Sequence, residues 1–112
     1  MLILMMLACG ASTVCADLEN DFVNQWWQIE VSGIPLDGCY LFSQDNFLVM
    51  KGEDNNIPLG KWEVTEIENC QYKIKTEDSI GVEEEITLLG MSEGCWEVEH
   101  DSGSYFACQC IQ

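Results

Sequence analysis

Leu59-Gly60-Lys61-Trp62-Glu63-Val64-Thr65-Glu66-Ile67, then Cys70-Gln71-Tyr72-Lys73-Ile74-Lys75-Thr76, then Val82-Glu83-Glu84-Glu85-Ile86-Thr87-Leu88-Leu89 form three successive runs of alternating apolar and polar side chains. A period of two is the signature of a strand buried on one face, because successive side chains leave a pleated strand on opposite sides. Trp62, Val64, Tyr72, Ile74, Ile86 and Leu88 share one parity, while Lys61, Glu63, Thr65, Gln71, Lys73, Lys75, Glu83 and Glu85 share the other. Glu84 falls with the inner set, near a strand end. The links, Glu68-Asn69 and residues 77–81, are of hairpin length and built from turn-forming residues, so the three runs read as adjacent antiparallel strands.

The same pattern extends in both directions. Trp27, Ile29 and Val31 alternate with Gln28, Glu30 and Ser32 before the turn signals Gly33, Pro35, Asp37 and Gly38. Strands are expected at 39–43 and 46–51, joined by Gln44-Asp45, then after a polar loop at 52–56 come the three runs above, followed by 95–100 and 104–111 around Asp101-Ser102-Gly103. Eight evenly spaced strands with short links predict an all-β fold, a small antiparallel up-and-down eight-stranded barrel whose closure leaves no edge to aggregate. Parity adds Trp27, Ile29, Val31, Leu41 and Val49 to the interior. The 39–43 and 46–51 strands are apolar on both faces, so Tyr40, Phe42, Leu48 and Met50 are expected to lie under an N-terminal element or to form a patch. That element is a short helix over about 17–25, with Asp17 as N-cap and Phe22, Trp26 and Ile29 at helical spacing.

The chain has 112 residues, 47% of them apolar, which suits one compact domain. Against 20 acidic residues stand four lysines, Lys51, Lys61, Lys73 and Lys75, with no arginine and one histidine, for a formal charge of −16. Phosphate backbones are bound by clustered cations, so no nucleic-acid partner is expected, and a membrane is expected only through a lipid anchor. A partner would be neutral or basic.

No acidic residue precedes Asp17, and residues 1–16 read in outline as an export signal, with the barrel domain at 17–112. The apolar run of seven, Met1 to Leu7, is far below the ~20 residues of a membrane-spanning helix. Two processing schemes fit. Val14-Cys15-Ala16 before Asp17 meets the small-residue rule of signal peptidase I and would release Cys39, Cys70, Cys95, Cys108 and Cys110, an odd set. Met6-Leu7-Ala8-Cys9 instead resembles a lipobox; cleavage before Cys9 would lipidate it and leave six further cysteines, an even set. Either scheme places the protein outside the cytoplasm, in a bacterial cell envelope or secreted, where cysteines in a small domain become disulfides. Cys95 should bridge to Cys108 or Cys110 across the last hairpin, whereas Cys39 could pair with Cys70 or with the remaining C-terminal thiol. A zinc site from Cys95, His100, Cys108 and Cys110 lacks paired Cys-x-x-Cys arms, so no metal and no cofactor is expected.

The order of Trp27, then Tyr40-Leu41-Phe42-Ser43-Gln44-Asp45-Asn46-Phe47, then Gly60-Lys61-Trp62, then the 70–76 strand and Ile86-Thr87-Leu88-Leu89 resembles the small bacterial lipocalin-like domains of the calycin group over about residues 26–90. Asn46 stands where that pattern has Gly, and the arginine that closes true lipocalin barrels has no counterpart. The resemblance implies a barrel.

Catalytic signals are few. No Ser sits in Gly-x-Ser-x-Gly, any triad must pass through His100 beside a turn, and residues 53–56 lack the ligand spacing of a calcium loop. The chain is therefore expected to be a non-enzymatic binding module. One reading places a small apolar ligand inside the barrel against Trp27, Trp62, Tyr72 and Trp96, residues that would equally serve as core. The alternative is an acidic inhibitor of a cationic envelope or secreted enzyme, in the manner of a lysozyme inhibitor, guided by the −16 field.

Overall fold

The computed structural model describes residues 15–101 and 103–110. Its order is α1 (Leu18–Asp21), β1 (Trp26–Val31), β2 (Ile34–Pro35), β3 (Tyr40–Phe42), β4 (Phe47–Met50), β5 (Ile57–Glu68), β6 (Gln71–Asp78), β7 (Glu83–Ser92), β8 (Cys95–His100) and β9 (Gly103–Gln109). Each strand from β3 to β9 pairs antiparallel with the next, and β1 joins β3 on one side to β9 on the other, closing an eight-stranded barrel. Closure is in register over Trp27↔Gln109, Gln28↔Cys108, Ile29↔Ala107 and Glu30↔Phe106. The addition to the expected strands is β2, two residues in the stretch read as a turn, which pairs with the far end of β1 through Val31↔Ile34.

The hairpins follow from local chemistry. Asn69 and Cys70 both adopt positive φ, 52° and 65°, the twist that a two-residue connection between right-twisted strands demands. At the β6–β7 turn the Asp78 carboxylate accepts from the backbone N–H of Ile80 and Val82 at 3.0 and 2.9 Å, adding to the backbone bond from the Asp78 N–H to the Val82 carbonyl at 3.0 Å. Asn46 takes φ 70° between β3 and β4 and donates its amide to the Trp62 carbonyl at 3.1 Å, so this residue both makes the turn and ties the hairpin to β5. Gly60 lies so close to the β6 backbone that a Cβ there would strike the Glu77 carbonyl oxygen.

Interior parity is as expected at Trp62, Tyr72, Ile74 and Leu88, which are buried, and β8 adds Trp96 and Val98 to the interior. Two strands correct the expectation. Leu41 pairs with Val49 on the outer face, whereas Tyr40, Phe42 and Leu48 face inward. Both faces of these strands are apolar, so alternation could not choose between registers one residue apart; the pairing Trp27↔Tyr40 chooses. Val31, also assigned inside, is 42% exposed because it sits at the barrel rim.

The N-terminal helix is shorter than expected, four residues rather than nine. Asp17 precedes it with extended backbone but makes no side-chain cap bond. Asn24, at φ 63°, breaks the run, and Trp26 belongs to β1 instead. Leu18, Phe22 and Val23 are buried, so this segment contributes to the core as a plug across one end of the barrel.

Candidate functional site

The two ends of the barrel differ, and the difference defines the candidate site. At the closed end Phe22, 1% exposed, sits among rings: its centroid is 4.7 Å from Phe42, 5.7 Å from Trp27 and 5.9 Å from Trp96. Phe42 meets Trp62 edge-on at 5.7 Å, and Tyr72 meets Trp96 at 6.2 Å. Edge-on and offset contacts of this kind suit the ring quadrupoles.

The polar tips of these aromatics are all used. Trp27 Nε1 donates to the Phe22 carbonyl at 2.8 Å, Trp96 Nε1 to the Asp21 carbonyl at 3.0 Å, Tyr72 Oη to the Ala16 carbonyl at 2.8 Å and Trp62 Nε1 to the Ser43 carbonyl at 2.9 Å. Three of the four thus satisfy carbonyls that the short N-terminal segment cannot pair within itself. Asn24 and Gln44 bind each other reciprocally at 3.0 and 2.9 Å, and the backbone N–H of Asn24 donates to the Phe42 carbonyl at 2.9 Å, so the plug is stitched to the β3–β4 hairpin as well.

Three disulfides reinforce the closed structure. Cys95 and Cys108 face each other across β8 and β9, as the last hairpin predicted. Cys39 pairs with Cys110, the second of its two expected options. Cys70, at the tip of the β5–β6 turn, pairs with Cys15 ahead of the plug, over a Cα–Cα distance of 5.2 Å. With these pairings, Cys95, Cys108 and Cys110 have no thiolate left for the zinc arrangement weighed above. The disulfides fit an oxidising, non-cytoplasmic location. Among the described residues no helix is long and apolar enough to cross a membrane.

The expected export signal and the lipidation candidate Cys9 lie outside the described residues, apart from Cys15 and Ala16, and those two are fastened to the barrel by a disulfide and a hydrogen bond.

Toward the other end the interior opens into a cavity of about 240 Å³. Its floor is Phe22 and Trp27; its walls include Ile29, Leu48, Ile86, Leu88, Val98 and Ala107; Tyr40, Thr76, Glu84 and Tyr105 supply its polar atoms. Leu59 reaches the cavity through a β-bulge, where the β4–β5 register shifts between Leu48↔Gly60 and Val49↔Pro58.

Of the four aromatics proposed from the sequence, Trp27 lines this cavity, while Trp62, Tyr72 and Trp96 pack at the closed end. Glu84, placed with the inner set by parity, does line it, opposite Thr76 across β6 and β7. Burial, and after it the charge of Glu84, raise the Tyr105 phenol above its ordinary pKa. Sequence reasoning missed Tyr40, Leu48, Leu59 and Tyr105. For Tyr105 a signal existed: it shares parity with Ala107, and both lie opposite the inner residues Val98 and Trp96 once the hairpin is set.

His100 sits at the end of β8 by the open-end turn, its Nε2 3.7 Å from the Asp101 carboxylate. Residues 53–56 form part of the loop between β4 and β5. Among the described residues, no group of three or more His, Cys, Asp or Glu side chains is placed to hold a metal ion. Comparison of the chain with protein-family models, with curated proteins and with solved structures found no match.

Proposed function

We propose that this protein is an exported, non-enzymatic β-barrel of lipocalin-like kind that binds a small apolar molecule in the open end of its barrel. The observation that carries this reading is the asymmetry of the interior: one end is filled by Phe22 and its ring of aromatics, and the other holds a 240 Å³ cavity walled by aliphatic and aromatic side chains. An apolar cavity of about 150 Å³ is enough for one benzene ring, so this one suits a single ring with a short substituent. Retention of Cys15 and Ala16 against the barrel supports processing upstream of Cys15, as cleavage before Cys9 would provide, rather than after Ala16. Calorimetric titration with indole tests the ligand reading. Saturable one-to-one binding that is abolished by Leu59→Trp, which fills the cavity from the bulge, is the expected result; heats no larger than dilution would refute it.

A second reading draws on the outer face. Glu63, Glu66, Glu68, Glu77, Glu83, Glu85, Glu97 and other carboxylates project outward, while among the described residues only Lys73 and Lys75 are in ion pairs with members of that set, at 3.4 to 3.5 Å. A surface of this sign would draw in a cationic protein such as an envelope enzyme of the lysozyme type. Binding to such an enzyme at low salt that vanishes at high salt would favour this second reading; salt-independent absence of binding removes it.

A further inference from the structure

We propose that the cavity ligand is an organic ammonium ion, with its apolar body inside the barrel and its cationic head on the Glu84 carboxylate at the mouth. This assignment builds on the cavity being an apolar-ligand site and adds the ligand's charge. Glu84 is the one charged side chain lining a wall that is otherwise apolar or aromatic apart from Thr76. It is exposed, one residue into β7, where that strand begins at the open end. Its sequence neighbours point the other way. Glu83 is 3.5 Å from Lys75 on the outer face, and Lys75 is also 3.4 Å from Glu63.

The remaining lysines lie elsewhere. Lys73 is 3.5 Å from Glu66, Lys51 lies 5.6 Å over the Trp26 ring, and Lys61 has the outward parity opposite Glu77. Among the described residues, therefore, no cation is in an ion pair with Glu84.

A carboxylate only accepts hydrogen bonds, and at the lip of an apolar cavity it favours a ligand that brings donors and positive charge. Tyr40 and Tyr105 line the same cavity and offer ring faces to an ammonium group. The raised phenol of Tyr105 agrees with Glu84 acting electrostatically at this point. The same carboxylate, within a chain of net charge −16, opposes a fatty acid or any other anionic amphiphile.

The test uses three probes with one apolar body, 3-phenylpropylamine, 3-phenylpropan-1-ol and 3-phenylpropanoate, titrated calorimetrically into the full exported protein and its E84Q and E83Q variants. The native protein should bind the amine about fivefold tighter than the alcohol, the worth of a largely exposed ion pair, and the acid weakest. E84Q should bring the amine to the level of the alcohol and leave the alcohol unchanged. E83Q, which removes the same charge from the outer face, should keep the preference. Equal binding of amine and alcohol by the native protein overturns the ammonium assignment while leaving the apolar-ligand reading in place. An amine preference that survives E84Q, or falls equally in E83Q, also overturns it. Binding of none of the three overturns both.

Discussion

The indole N–H of Trp27 donates to the backbone carbonyl of Phe22 at 2.8 Å, and the two rings lie 5.7 Å apart and only 19° from parallel. One residue of the barrel wall therefore both holds the plug's backbone and packs its side chain. The plug is four helical residues followed by a break, far too short to be stable alone, so its conformation comes from these tertiary contacts. It also sets the floor of the cavity, because Phe22, with Trp27 and Phe42 beside it, faces both the closed end and the open space.

Truncating Phe22 tests that arrangement. Phe22→Ala removes a fully buried ring that meets three other aromatic rings and should cost about 3–5 kcal/mol. Phe22→Leu, which keeps most of the volume, should cost clearly less. Urea denaturation followed by tryptophan fluorescence measures both, and a Phe22→Ala loss below 1 kcal/mol would mean that the plug is not part of the cooperative core.

The Cys15–Cys70 bridge makes a processing prediction. It closes a loop of 55 residues and secures the plug to the β5–β6 turn. Intact-mass analysis of the exported protein should find Cys15 present and six cysteines resistant to alkylation until reduction. Replacing both Cys15 and Cys70 by Ser should lower stability by about 2–5 kcal/mol. A mature chain starting at Asp17 would contradict the pairing outright.

Tyr105 predicts an alkaline limit to stability. Its phenol is raised above the ordinary value near 10, first by burial and second by Glu84. The folded protein thus holds a proton that the unfolded chain releases. The contribution is fully present below pH 10 and is lost as pH climbs through the higher folded value. Stability should fall above about pH 10, and Tyr105→Phe should remove this part of the fall. Glu84→Gln should bring the Tyr105 ionisation part of the way back, as seen by following its ring resonances against pH.

How far the fold could be read from the sequence depended on contrast between strand faces. Within β5 to β7 one face is charged and polar and the other apolar, and the structure has that parity at Trp62, Tyr72, Ile74 and Leu88. Glu84 was legible for the same reason: in Glu83-Glu84-Glu85 only the middle residue shares parity with Ile86 and Leu88. Where both faces are apolar, in β3 and β4, no such contrast exists, and Leu41 and Val49 were assigned inward in place of Tyr40, Phe42 and Leu48. The bulge that turns Leu59 into the cavity leaves no mark in a binary pattern, since one extra residue reverses parity without changing composition. Phe22 fell at helical spacing with Trp26, but the turn at Asn24 sends the two into different elements. What Tyr72 and Trp96 do at the closed end follows from the carbonyls of the N-terminal segment, and what Trp62 does from the Ser43 carbonyl of the β3–β4 hairpin, all of which only the assembled barrel brings within reach.

The central claim is that the open half of the barrel interior receives a small apolar molecule while the Phe22 end stays shut. Methyl-resolved NMR during titration with benzene tests it most directly. The account predicts saturable shifts at the methyls of Ile29, Leu48, Leu59 and Ile86, with Ile67, exposed near the far end of β5 and not part of the cavity wall, unmoved. Shifts confined to outer-face methyls, or none that saturate, would contradict it.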